Sequence, residues 1–272
     1  MIRLFMPRLF TLLSAAVLTV GCASGTRTDT EQRLAALLPA DAILLGEQHD
    51  APDHQRVQRE VVQALAARDQ LAALALEMAE QGHDTRGLPS DASEAQVRNA
   101  LQWNDAAWPW HAYGPAVMAA VRAGVTVLGA NLPRAQMRAR MADAQLDTLL
   151  PGPALKAQQQ AIRLGHCGML PENQITPMTR VQIARDLVMA QTLLAAMQPG
   201  RTALLLAGHG HVDRQLGVPQ HLPSSLHIQA VVLGDTQARG ALPSAGRFDL
   251  IWPARPPVAK DYCAEFSASP PR

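Results

Sequence analysis

Lysine is nearly missing from this 272-residue chain: only Lys156 and Lys260 occur, and the other 22 cationic residues are arginine. A polybasic membrane patch is therefore excluded. Net charge is +1, with 24 basic against 23 acidic residues. Without residues 1–21, which carry Arg3 and Arg8, the balance is 22 against 23. A near-neutral chain lacks the concentrated basic surface that phosphate binding needs, so nucleic acid is not expected as a partner. Cysteine is scarce as well, at three residues with no CxxC or CxxCH pattern. That disfavours a thiolate zinc site and covalent c-type haem. No apolar run approaches the roughly 20 residues needed to span a bilayer. Disorder is excluded too, because 48% of residues are apolar and only 17% are charged.

Residues 1–21 read as a signal peptide. Arg3 and Arg8 form a positive n-region, Leu9–Val20 an apolar core, and Leu18-Thr19-Val20-Gly21-Cys22 resembles a bacterial lipoprotein cleavage site. An ordinary secretory signal or a buried helix are the alternatives. Cleavage leaves Cys22 as an acylated first residue, and several acyl chains anchor far better than one. Ala23 after the cysteine resembles outer-membrane sorting, with the protein facing the periplasm. Residues 22–30 are small and polar and read as a tether. Cys167 and Cys263 then remain, and in an oxidising compartment such a pair is either a disulfide or two buried thiols.

Short apolar runs bounded by turn residues predict strands at Ala42–Gly46, Leu71–Met78, Val125–Ala130, Thr202–Ala207, Ile228–Leu233 and Phe248–Trp252. Helical patterns at His54–Arg68 and Pro115–Ala123 separate the first three. The alternation predicts an α/β fold with a mostly parallel central sheet flanked by helices. Segments 31–132 and 199–265 form this core. Segment 133–198, mostly helical and interrupted only by Pro151, Pro153, Pro171 and Pro177, forms a smaller helical subdomain, with 90–110 packed near it, and 266–272 is a tail.

Chemistry-bearing residues fall at predicted strand ends, where open parallel sheets place their ligand crevices. Glu47 and His49 follow the first strand. Glu77 closes the second, 30 residues later, and is expected beside Glu47. His209 and His211 follow the LLLA strand. His54 and Gln58 head the apolar stripe of the helix after Glu47, and with His209 they read as structural rim residues. Three chemistries stay open for this cluster. Glu47, His49, Glu77 and His211 suit a divalent metal. Glu47 and His49 suit an acid–base pair in a hydrolase. The whole set also suits a network that only holds the rim together. Separately, three of four tryptophans and one of two tyrosines lie between Trp103 and Tyr113. This stretch reads as an aromatic lip beside a pocket, or as a loop anchored by its rings.

GEQHDAPDHQRVQ, LALEM, WPWHAYGPAV, VLGANLPR, HCGMLP, QIARDLVMAQ, GHGHVDRQLGVPQHL and DYC together resemble the ChaN-like haem-binding lipoproteins of bacterial iron uptake, a group allied to the Tiki proteins and erythromycin esterases. The resemblance implies haem held near the helical subdomain, a homodimer around stacked haems, service to an outer-membrane haem or iron receptor, and tyrosine as iron ligand. Tyr113 is the expected ligand, Tyr262 its rival, and His83 and His111 are alternatives, with Trp110 beside them. Arg134, Arg138 or Arg185 are expected to meet the propionates. The expected function is non-covalent haem binding by a lipid-anchored outer-membrane protein, the alternative an envelope esterase or peptidase.

Overall fold

The computed structural model describes residues 28–234 and 246–264. The signal peptide, Cys22, most of the tether and the 266–272 tail lie outside the described residues. Six strands form one parallel sheet: β1 (Ala42–Glu47), β2 (Leu71–Glu80), β3 (Val127–Asn131), β4 (Thr202–Gly208), β5 (Ile228–Gly234) and β6 (Leu250–Pro253). The spatial order is β3-β2-β4-β1-β5-β6, and each neighbouring pair is parallel. The order reverses around β1 and β4, which makes their C-terminal ends the switch point of the sheet.

Both faces are covered, which is why the strands read as unbroken apolar runs. On one face Ile43, Leu45, Leu74, Leu76, Leu204 and Leu206 meet α1 (Asp29–Leu37), α2 (Pro52–Ala66) and α4 (Trp110–Arg122). On the other, Leu44, Ala75, Leu205 and Ala207 meet Met189, Ala190 and Leu193 of α7 (Glu172–Ala196). Earlier on α7, Val181, Ile183, Ala184 and Val188 pack instead on Leu132, Leu146 and Leu150. One long helix therefore serves two cores, and buried residues recur all round it. Around it stand α5 (Met137–Ala142) and α6 (Gly152–Gly165), which complete the helical layer between β3 and β4. No helix among the described residues is long and apolar enough to cross a membrane.

Two expectations change. The helix read from Pro115 begins at Trp110, because Pro109 is its N-cap and Asp105 Oδ1 accepts from the Trp110 N–H at 2.7 Å. Pro115 sits inside the helix and removes one N–H there. Segment 90–110 contains α3 (Glu94–Ala100), and Val97, Leu101 and Trp103 pack into the α2–α4 face rather than beside α5–α7.

A disulfide joins Cys167, after α6, to Cys263 beyond β6, across 96 residues. It ties the chain end to the helical layer from the far edge of the sheet. Closing a loop of that length removes chain entropy from the unfolded state, with a typical gain of about 2–4 kcal/mol. Cys263→Ser is therefore expected to lower the thermal midpoint by about 5–15 °C, measured by circular dichroism. An unchanged midpoint would show that the crosslink constrains nothing.

Candidate functional site

The site grows from Glu47, the last residue of β1. Its side chain is fully buried, so its carboxylate needs donors in place of water. Oε1 accepts from Tyr113 Oη at 2.8 Å and lies 2.9 Å from His49 Nδ1. Oε2 accepts from Gln55 Nε2 at 3.0 Å and Gln58 Nε2 at 2.9 Å. A carboxylate offers about four lone-pair sites, and all four are filled. His54, also buried, uses Nδ1 to accept from the Gln48 N–H at 3.0 Å. Burial pushes its imidazole down to about 4, so it is a neutral acceptor that fixes the turn after β1.

A second network stands beside the first. Glu77 Oε2 accepts from the Gly208 N–H at 2.7 Å, and Glu77 Oε1 lies 3.3 Å from His211 Nε2. His211 Nδ1 is 2.6 Å from Asp186 Oδ1 on α7. Burial alone would push His211 down, but the Glu77 and Asp186 carboxylates outweigh it and hold the imidazole up at about 10. Burial likewise would raise Glu77. The His211 charge and hydrogen bond, with His49 and the Gly208 N–H, hold it well below the usual carboxylate range. His49 joins the networks: Nδ1 meets Glu47, and Nε2 is 3.8 Å from Glu77 Oε2. Its own imidazole is raised, burial being outweighed by the Glu47 hydrogen bond and the charges of Glu77 and Glu47. Glu77 does not sit beside Glu47 as expected, because β4 runs between their strands. Gly208 on β4 permits the bridge, since a Cβ there would fall 2.8 Å from His49 Nε2.

Two adjoining cavities open above this floor. One, of about 630 Å³, lies between the rim and the α6–α7 layer and is lined by His49, His209, His211, Ile162, His166 and Tyr262. The other, of about 650 Å³, is lined by Met78, His83, Trp108, Leu132 and Met137. Glu77 and Arg185 line both. Tyr262 stands beside the Cys167–Cys263 disulfide and donates its hydroxyl to Asp50.

Several expected site residues stand elsewhere. Tyr113 is 2% exposed. Burial and the Glu47 charge push its phenol far up, so it is a neutral donor to Glu47 and offers no oxygen to a ligand. Trp110 is buried, with Nε1 donating to Glu94 at 2.9 Å. His111 is exposed and faces a different hollow, beside Arg56 and Arg59. His83 lines the second cavity. The aromatic stretch is mostly a buttress: Trp103 stacks edge-on to Trp110 at 5.0 Å, and Trp108 meets Tyr113 at 5.9 Å and His49 at 4.8 Å. Of the rings in this stretch, only Trp108 lines the cleft. A divalent metal at Glu47, His49, Glu77 and His211 is not supported: among the described residues no three such groups are arranged to hold one. Their lone pairs and protons engage one another instead.

Gln55, Asp186 and Gln182 were not singled out from the sequence. Gln55 was legible as the residue one turn before Gln58.

Because the folded state holds a proton on His211 that the unfolded chain releases near pH 6.5, its stabilisation is complete below that pH. It is lost as pH rises through the folded value of about 10. Urea unfolding free energy is expected to fall steadily between pH 7 and 10, and His211→Gln to flatten that slope. A slope unchanged in His211→Gln would contradict the assignment.

A family described as haem-binding uptake, Tiki superfamily, ChaN, matches residues 33–222. Among solved structures, ChaN of Campylobacter jejuni, described by its cofacial heme binding, is similar at 27% identity and a TM-score of 0.64, over 76% of this chain and 86% of that one. The type III effector HopBA1 is similar in fold alone, at 16% identity and a TM-score of 0.50, over 83% of this chain and 93% of that one. No curated protein matches the chain. With 190 consecutive residues matched, from within α1 to the segment between β4 and β5, the chain belongs to the ChaN family of haem-binding uptake proteins.

Proposed function

We propose that this chain binds haem non-covalently in the cleft between the sheet rim and the α6–α7 layer, as a haem or iron uptake protein of the bacterial envelope. The observation that carries the reading is the cleft itself: two adjoining cavities, with Tyr262 pinned at the wall of one by the disulfide. Cavities of several hundred cubic ångströms in which apolar side chains stand among convergent polar groups suit a flat ligand with an apolar body and polar side arms. The residues present fit the group. Ile162, Met78, Leu132, Met137 and Trp108 supply apolar surface, Arg185 supplies a cation, and Tyr262 and His166 supply candidate iron ligands. A phenolate oxygen is a hard ligand that favours ferric iron. Asp50, which already accepts from Tyr262, is placed to take the proton a ligating phenol gives up.

Each part of the floor then has a task in binding rather than in bond breaking. The Glu47 and Glu77 networks fix His49 and the turn after β4, so the cleft keeps its shape without a ligand. A hydrolytic role for Glu47 and His49 is not favoured, because a carboxylate with four donors has no site left to accept a proton from water.

The reading places the chain on an acyl anchor at Cys22, at the outer membrane and facing the periplasm. The n-region, apolar core and Gly21-Cys22 of the sequence support this, and a disulfide suits an oxidising compartment. Cofacial haem binding by the Campylobacter jejuni protein supports pairing of two copies around stacked haems. An outer-membrane haem or iron receptor is the proposed downstream partner.

Titration with hemin is expected to shift the Soret band. Tyr262→Phe should move the band and weaken binding at least roughly tenfold, the loss of one charge-assisted contact. Tyr113→Phe should keep the band and lower stability by about 1.5–3 kcal/mol, since it removes a donor from a buried carboxylate. The absence of a Soret shift in the wild-type chain would sink the haem reading. Loss of the band in Tyr113→Phe but not in Tyr262→Phe would return the ligand to Tyr113.

A further inference from the structure

Arg185 is the unexplained cation of the cleft. It follows Gln182 and precedes Asp186 on α7, and it lines both cavities. Neighbouring arginines of the helical layer are matched: Arg140, Arg163 and Arg180 each have a carboxylate oxygen within 3.4 Å. Arg185 has no ion pair or hydrogen bond among the described residues, and its Nε is buried without a partner. No nearby acid hydrogen-bonds to it among the described residues. Glu77 is held by His211, His49 and the Gly208 N–H. Asp186, the next residue, feels the Arg185 charge but gives Oδ1 to His211, and its Oδ2 has no hydrogen-bond partner. A buried guanidinium N–H without an acceptor is destabilising until something fills it. The guanidinium fork matches a carboxylate in two parallel hydrogen bonds.

We propose that Arg185 is the carboxylate anchor of the cleft, holding one acidic side arm of a porphyrin that lies across the junction of the two cavities. The proposal rests on the haem reading and deepens it: it makes the site selective for a porphyrin that carries free acids, not for the macrocycle alone. Arg134, at the mouth of the second cavity, is exposed, and Arg138 is exposed and lines neither cavity. Neither combines burial, position and a missing partner as Arg185 does.

The test compares hemin with hemin dimethyl ester, whose side arms carry no charge. Both are titrated into the full chain, Arg185→Gln, Arg185→Lys and the surface control Arg138→Gln, with circular dichroism to confirm folding. Losing a charge-assisted carboxylate contact is expected to weaken hemin binding by about 10- to 100-fold in Arg185→Gln. Ester binding should change by less than about twofold, a few tenths of a kcal/mol. Arg185→Lys should recover part of the hemin affinity, because it keeps the charge and loses the fork. Arg138→Gln should behave as wild type. Equal weakening of hemin and its ester in Arg185→Gln would overturn the anchor and make Arg185 a packing residue. Unchanged hemin affinity would overturn it outright. If the wild-type chain binds neither porphyrin, the haem reading falls and the anchor falls with it.

Discussion

A carboxylate with no exposed surface, at the end of one of the sheet's central strands, is the constraint on which this structure turns. With no water to meet them, the four acceptor sites of Glu47 must be met from the protein. Two glutamines on α2, a tyrosine on α4 and a histidine two residues along the turn meet them. The turn after β1, α2 and the sequence-distant α4 are thereby locked to one point. Removing any donor leaves the others bound to a charge that has lost part of its compensation, which is the situation in which buried polar networks become destabilising.

The second network repeats the logic across β4. Glu77, His211 and Asp186 alternate acid, base and acid, and Asp186 brings α7 into register with the sheet. His49 stands between the two networks. The cleft is the space above this rigid floor, beneath the helical layer and beside the disulfide-bound chain end. A preorganised cavity of this kind loses little entropy on taking up a flat ligand. The same feature explains why the histidines and acids form a floor: most of their polar atoms bind one another, and on the wall the Nε of Arg185 is buried without a hydrogen-bond partner.

Much of the fold was legible because burial on both faces leaves a clear mark. Ala42–Glu47, Thr202–Gly208 and Ile228–Gly234 begin at the residues where their apolar runs begin. The rim was legible because Glu47, Glu77, His209 and His211 fall where such runs end. What was not legible was the pairing. Sequence spacing placed Glu77 next to Glu47, whereas the insertion of β4 between their strands is a topological fact that no local pattern carries. The aromatic stretch misled for a related reason. Trp110 and Tyr113 lie three apart on the first turn of α4, which is helical core spacing, but Pro115 drew the expected helix start five residues late. Tyr113 therefore looked exposed and functional when its hydroxyl was needed at Glu47. Asp186 was hidden within a long helix whose apolar residues recur on several sides, where a single acid stands out only once the facing histidine is known.

The most direct measurement of the central claim is an anomalous difference map at the iron edge, from crystals of the chain grown with hemin. The expected result is an iron peak in the cleft above His49 and His211, next to the Tyr262 oxygen, with Glu47 still bound by Tyr113, Gln55 and Gln58. An iron peak in the hollow beside His111, or one bonded to a displaced Tyr113, would contradict it.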